Sequence, residues 1–370
     1  MKILIPTQLH DIHAKVVARA LSSQGHDPVL WYGSDLPSRQ TLSLELDEGE
    51  ARLSLDGPAL ASRGAFDVVW LRRPVDAVLP TDMHPGDRVF AEREWSRVLR
   101  GIWHTVGREA LWVNPWANAV QASSKPRQLL EASHVGMSVP RTLCSNDPDR
   151  IRSFIRGNPG ETIYKPFCTS QWKLEEGAAY LFTAVVGEDD LPEDEVLRLC
   201  PGIFQPRVPK SHELRVTIIG DRVFGAELAS QALEVAQVDW RVGTRAIEIR
   251  PTTLDPALEA RCRRLMERLG LVFGCLDFIV TPEGEPVFLE INQMGQFLWL
   301  EELMPELRLL DAFCAMLSQG RRDFEWSPER ATLRFGDLHD PRREAALDAV
   351  HVAHPVSHLL DDGAEARGAA

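Results

Sequence analysis

The chain has 370 residues, of which 44% are hydrophobic and 26% charged, with a formal net charge of −13. That length supports two or three domains with substantial cores, and the acidic balance argues against nucleic-acid partners, which need basic patches. No apolar run reaches the length of a membrane span, and the opening MKILIPTQ reads as a strand rather than a signal peptide, so a cytoplasmic protein without membrane contact is expected.

Lys2 to Pro6 reads as a short apolar strand. Ile12, Val16, Val17, Ala20 and Leu21 then recur at helical spacing, and Gly25 closes the helix. Pro28 to Tyr32 and Asp67 to Leu71 read as further buried strands. This β-α-β opening predicts a parallel, doubly wound N-terminal domain. Leu42 to Leu55 alternates and predicts a β ribbon. Arg72-Arg73-Pro74 ends a strand, where the arginines by themselves read as solvated. The six cysteines are scattered without a CxxC pair, which favours reduced thiols. The histidines form no HExxH, and His351, His354 and His358 read as part of a solvated tail.

A second unit starts near Trp112-Val113-Asn114-Pro115. Ser123 or Ser124 can cap a helix that carries Lys125 and Pro126 in its first turn and ends near Gly136. Thr162 to Lys165 is a β run ending in a lysine, which by itself reads as an edge-strand charge. No GxxxxGK[ST] occurs, which excludes a P-loop. Gly187 to Glu195, GEDDLPEDE, is an acidic run of the kind that is usually solvated. Phe204 to Lys210 leads into the stretch His212 to Phe224, where Arg215 alternates with Leu214 and Val216 and leaves the sheet on the polar face. Arg215, and Arg241 in Val238-Asp239-Trp240-Arg241, are forks suited to phosphate or carboxylate. Asp255-Pro256 opens an amphipathic helix with Leu258, Cys262, Leu265, Met266 and Leu269 on one face, stopped by Gly270.

Two apolar β runs follow, Gly274 to Val280 and Pro286 to Asn292, joined by a hairpin-type connection. Strict alternation would place Phe288, Glu290 and Asn292 on one face, with Asp277 on the partner run. Carboxylates inside apolar strands are costly unless paired or bound to a cation. Three hard oxygen donors without His or Cys suit Mg²⁺, which takes one or two carboxylates plus substrate phosphates. The competing reading is a sheet edge whose acids face water. After residue 320 no period persists, so the tail is expected to be loosely attached.

Several of these strings resemble one family. NPW…SSKPRQLLEASHVGMSVPRT and Asp277…Glu290-Ile291-Asn292 are similar to the opening and the magnesium motif of ATP-grasp ligases. FLEINQMGQFLWLE, Phe288 to Glu301, resembles more specifically the microviridin-type peptide maturases, or graspetide macrocyclases, and departs from them at Gln293, Met294 and Phe297. HDIHA, WLRRP, the strand around Leu214-Arg215-Val216 and DWR resemble the same family. The loop from Cys168 to Gly177 lacks the glycine density of many ATP-grasp lids.

The resemblance implies an α/β ATP-grasp fold: a pre-ATP-grasp domain over 1–115, a central subdomain over 116–204 that could dock a leader peptide, a subdomain with the metal site over 205–320, and an extension over 321–370. It implies that ATP meets Lys125, Lys165, Gln205, Val208, Lys210 and Glu213. Asp277, Glu290 and Asn292 would hold Mg²⁺, and Arg215 and Arg241 would be catalytic. Arg72, Arg73, Trp240, Gln296 and Trp299 would face substrate. The implied activity is ATP-dependent activation of Asp or Glu side chains in a leader-bearing precursor peptide, followed by ester or amide ring closure, by a homodimer. A ligase joining a small amino acid to a protein or metabolite, and a non-catalytic ATP- or leader-binding module, stay open.

Overall fold

The computed structural model describes residues 1–57, 61–167, 171–173, 178–180, 182–243 and 246–354. The chain opens with β1 (Lys2–Thr7), α1 (Ile12–Ser23) and β2 (Asp27–Tyr32). The predicted ribbon is β3 (Thr41–Asp47) and β4 (Glu50–Asp56), and β5 (Ala61–Gly64) adds a third antiparallel strand. After β6 (Val68–Trp70) come α2 (Pro85–Thr105) and β7 (Leu111–Val113). The four parallel strands run in the order β2-β1-β6-β7. The chain leaves β1 to one side and returns as β6 on the other, which creates a crevice at the carboxyl ends of these two strands. Asp11, Arg72 and Arg73 lie there, with Asp11 capping α1 through the Ala14 amide.

The middle of the chain contributes α3 (Trp116–Ala122), α4 (Lys125–His134), β8 (Leu143–Ser145), α5 (Pro148–Arg156), β9 (Thr162–Lys165), β10 (Gln171–Lys173), β11 (Ala178–Tyr180), β12 (Ala184–Val186), α6 (Asp194–Leu199) and β13 (Gly202–Pro206). One antiparallel sheet has the order β12-β9-β13-β8, with Ile151, Phe154 and Phe204 in a small core of their own. Ser124 is the N-cap of α4 by position, but neither serine caps it with a side chain: the Ser123 hydroxyl donates to the Val120 carbonyl instead. Apart from β10, the expected lid between Cys168 and Gly177 lies outside the described residues.

The remaining sheet is antiparallel in the order β16-β15-β14-β17-β18. Its strands are β14 (His212–Ile219), β15 (Arg222–Leu228), β16 (Ile249–Thr252), β17 (Phe273–Val280) and β18 (Pro286–Asn292). Leu214, Val216 and Ile218 of β14 and Leu276 and Phe278 of β17 face α7 (Pro256–Leu269), whose predicted stripe of Leu258, Cys262, Leu265, Met266 and Leu269 completes that core. Gly270 ends α7 with φ +65, a conformation glycine adopts without penalty. The opposite face is divided along its length. Ile219, Phe273 and Cys275 pack with α1, α8 (Leu298–Leu303) and α9 (Leu309–Gln319), whereas Glu213, Arg215 and Asp277 line a cavity.

The tail corrects an expectation over its described part. Phe324 and Phe335 are buried in the core shared by α1 and α9. After α10 (Phe335–Leu338), α11 (Pro341–Asp348) pairs Asp348 with the buried Lys15 and with His10. His351 is enclosed rather than solvated: it bonds Asp35 at 2.6 Å and stacks on Tyr32. Residues 322–335 thus lie against the C-terminal sheet, α8 and α9, and residues 338–351 against the N-terminal domain, through polar contacts that weak hydrophobic periodicity cannot reveal. His358 lies outside the described residues. Among the described residues no helix is long and apolar enough to cross a membrane.

Candidate active site

Cross-strand register builds the centre of the site. Arg215 on β14 faces Asp277 on β17, which faces Glu290 on β18. Side chains in one such row are neighbours on one face of a sheet. Arg215 Nη1 donates to both carboxylate oxygens of Asp277, at 2.7 and 2.6 Å. A bulge lies between Asp277–Glu290 and Phe278–Phe288, with Leu289 as the extra residue. It changes the expected faces: Leu289, Glu290 and Asn292 line the cavity, while Phe288 turns to the α7 core. Hydrophobic alternation gives no sign of such a one-residue insertion.

The cavity holds about 480 Å³ between the middle and C-terminal sheets. Lys125, at the start of α4, and Lys165, at the end of β9, enter from one side, and Lys125 Nζ stands 3.5 Å from Glu290. Burial would raise the pKa of Glu290, but Lys125, Arg241, Lys165 and Arg215 outweigh it and hold the carboxyl below its ordinary value. Burial lowers Lys165, and Glu290 compensates only in part. Burial raises Asp277, opposed by the Arg215 fork. Val208, Lys210 and Glu213 line the opposite wall, where Glu213 accepts from Lys210 and from the Ser230 hydroxyl. Burial, the largest influence on Glu213, raises its pKa. The Gln205 side chain is buried, is not part of the wall, and donates to Thr142 Oγ1 at 2.9 Å, while Arg207 and Val208 just after it line the cavity.

Arg241 is held by Asp239 through a two-pronged contact at 2.8 and 2.6 Å. Burial alone would raise Asp239, but that fork keeps it low. Trp240 and Trp299 stack at 5.4 Å in the cavity wall, and the Trp299 indole and Arg215 both donate to the Gln296 carbonyl. Arg73 also lines the cavity. Arg72 does not: it is fully buried, ion-paired to Asp11 at 2.9 Å, and donates to the carbonyls of Met294 and Gly295. The expectation that Arg72 faces substrate is therefore corrected. Arg207, Thr183 and Gln237 join the wall without having been singled out.

The electrostatics select a class of ligand. Seven basic side chains (Arg73, Lys125, Lys165, Arg207, Lys210, Arg215 and Arg241) and four acidic ones (Glu213, Asp239, Asp277 and Glu290) line the cavity, an excess of three positive charges in a chain of net −13. Such a site attracts a polyanion. Among the described residues no three His, Cys, Asp or Glu side chains form a metal cage. Asp277, Glu290 and the Asn292 amide are nonetheless three hard donors on one face, which fits a Mg²⁺ that draws its remaining ligands from phosphates and water.

Neither a protein-family model nor a curated protein matches the sequence. Solved structures do. The RiPP-associated ATP-grasp ligase of Chryseobacterium gregarium, solved with ADP and a leader and core peptide, is 28% identical over 88% of this chain and 99% of its own, with a TM-score of 0.79. Macrocyclase MdnC of Microcystis aeruginosa, solved with precursor peptide MdnA, is 27% identical over 86% and 100% of the two chains, at 0.76. Macrocyclase MdnB of the same organism is 30% identical over 86% and 99%, at 0.72. The chain belongs to the RiPP-associated ATP-grasp ligases. The graspetide resemblance read from FLEINQMGQFLWLE and the ATP-grasp fold are both borne out. This ligase carries its basic cavity between the two sheets that follow the parallel N-terminal domain.

Proposed function

We propose that this ligase activates Asp or Glu side chains of a leader-bearing ribosomal precursor peptide with ATP and closes intramolecular ester or amide rings. The convergence of seven basic side chains on the Asp277–Glu290 pair carries the reading. The solved relatives support the peptide, since one was solved with a leader and core peptide and another with its precursor. A substrate carboxylate oxygen attacks the γ-phosphorus, and the bond to the β,γ-bridging oxygen breaks and releases ADP. A peptide hydroxyl or amine then attacks the acyl carbon, loses its proton, and expels phosphate. The peptide loses one water per ring.

Lys125 and Lys165 would position phosphates as compact charges. Val208, Lys210 and Glu213 would border the nucleoside. Asp277, Glu290 and Asn292 would hold Mg²⁺, which when bound offsets charge on the phosphate oxygens. Arg215 and Arg241, the latter aimed by Asp239, would stabilise the acyl phosphate and the oxyanion of ring closure. Arg73, Trp240, Gln296 and Trp299 would contact the peptide. The same reading divides the chain at residues 115, 204 and 320, assigns a homodimer in the cytoplasm, and gives leader docking to the central subdomain. Peptide carrying ¹⁸O in its carboxylates tests the chemistry: one ¹⁸O per ring should appear in inorganic phosphate. Unlabelled phosphate alongside ring formation would contradict acyl phosphate activation.

A further inference from the structure

The backbone just beyond the candidate metal strand is held by side chains from far away in sequence. Gln128 on α4 brackets Ile291, donating to its carbonyl at 2.9 Å and accepting from its amide at 3.0 Å. Asn114, after β7, donates to the carbonyls of Gln293 at 2.8 Å and Phe273 at 2.9 Å, and accepts from the amides of Val272 and Phe273. Arg72, after β6, donates to Met294 and Gly295. Arg215 donates to Gln296, and the Asn292 carbonyl accepts from the Gly295 amide. Every carbonyl from 291 to 296 is thereby engaged. Gly295 is pressed onto β17, where an added Cβ would lie 2.5 Å from Cys275 Sγ. The Asn292 side-chain oxygen accepts from the Met294 amide at 3.0 Å and keeps its second lone pair for another partner.

We infer that Arg72, anchored by Asp11, and Asn114 are positioning residues that set the Asn292 oxygen beside Asp277 and Glu290 for the divalent ion. They act from the N-terminal domain, so metal geometry in the C-terminal sheet depends on the seam between the two. The physical basis is preorganisation: a ligand on an otherwise short, glycine-containing turn binds a metal well only if that turn is fixed before binding. Arg72 meets the requirement because its buried fork spans Asp11 and two consecutive carbonyls, which a lysine cannot do.

The inference rests on the metal reading above. It is tested by Mn²⁺ binding, followed by electron paramagnetic resonance, to the protein with the ATP analogue AMPPNP. Arg72→Gln alone would leave Asp11 as an unpaired buried charge, so the variant used is Asp11→Asn/Arg72→Gln, which removes both charges. Its Mn²⁺ dissociation constant should rise at least tenfold while AMPPNP binding without metal is unchanged. Arg72→Lys, which keeps the charge, should show a smaller rise. In both, the Mg²⁺ concentration giving half-maximal ADP formation should rise, with activity recovering at high Mg²⁺. Mn²⁺ affinity within twofold of wild type in either folded variant would overturn the inference and leave the metal reading standing. A wild-type protein that binds no Mn²⁺ with AMPPNP would overturn both.

Discussion

Glu290→Gln separates the chemistry from the fold. Glu290 stands 3.5 Å from Lys125 Nζ. Two unit charges at that distance attract by about 5 kcal/mol at an effective dielectric constant of 20. Both side chains are a quarter to a third exposed, and screening reduces this to about 1 kcal/mol. The fold should absorb that loss, with the melting temperature falling by a few degrees at most. The reaction should not absorb it. The substitution removes one of the two carboxylates assigned to the divalent ion, and Lewis-acid stabilisation of phosphoryl transfer is worth several kcal/mol. A loss of about 4 kcal/mol corresponds to a rate lowered on the order of a thousandfold. The assay is coupled ADP release with saturating ATP, Mg²⁺ and peptide, alongside equilibrium binding of an ATP analogue and a thermal melt. ADP release within tenfold of wild type, with the fold intact, would refute the assignment of Glu290 as a metal ligand.

Three further outcomes follow from the same geometry. Asp239→Asn should lower kcat for ADP formation by about 10- to 100-fold with little change in the KM for ATP, because Arg241 loses its fork; an unchanged kcat would remove Arg241 from the transition state. Burial lowers the pKa of His13 to about 3 from 6.5, so the unfolded chain takes up a proton that the folded chain refuses. Stability present above pH 6.5 should therefore fall by about 1.4 kcal/mol per pH unit as the pH drops toward 3, and His13→Asn should flatten urea-denaturation stability between pH 6 and 4; an unchanged slope would contradict a buried neutral imidazole. Phe335→Ala should cost about 3–5 kcal/mol, since Phe335 is buried and its amide is bonded to Glu301; an unaltered melting temperature would show that the tail is loosely attached after all.

Much of the cavity lining was legible in the sequence because the residues proposed to hold the metal stand in regular strands. Arg215 between Leu214 and Val216, and Asp277 between Leu276 and Phe278, are polar residues in apolar alternation, and both lie on the cavity face. The Leu289 bulge escaped the same logic, since an inserted residue shifts a face without changing composition. Arg72 and Arg73 are adjacent and chemically identical, yet one is buried as a strut and the other lines the cavity. Only tertiary contacts 222 residues away separate them. Asn114 and Gln128 were invisible as site residues for the same reason: an amide that bonds backbone carries no local pattern. The attachment of the tail leaves no sequence pattern because Lys15–Asp348 and His351–Asp35 are long-range polar contacts rather than hydrophobic repeats.

Intact mass of a leader-bearing precursor peptide, after incubation with this protein, ATP and Mg²⁺, tests the central claim most directly. Loss of one or more waters, dependent on ATP and absent with Glu290→Gln, is the predicted result. A gain equal to one amino acid residue would instead identify a small-molecule ligase, and unchanged mass in a peptide whose binding to the ATP-loaded protein is demonstrated would contradict macrocyclisation.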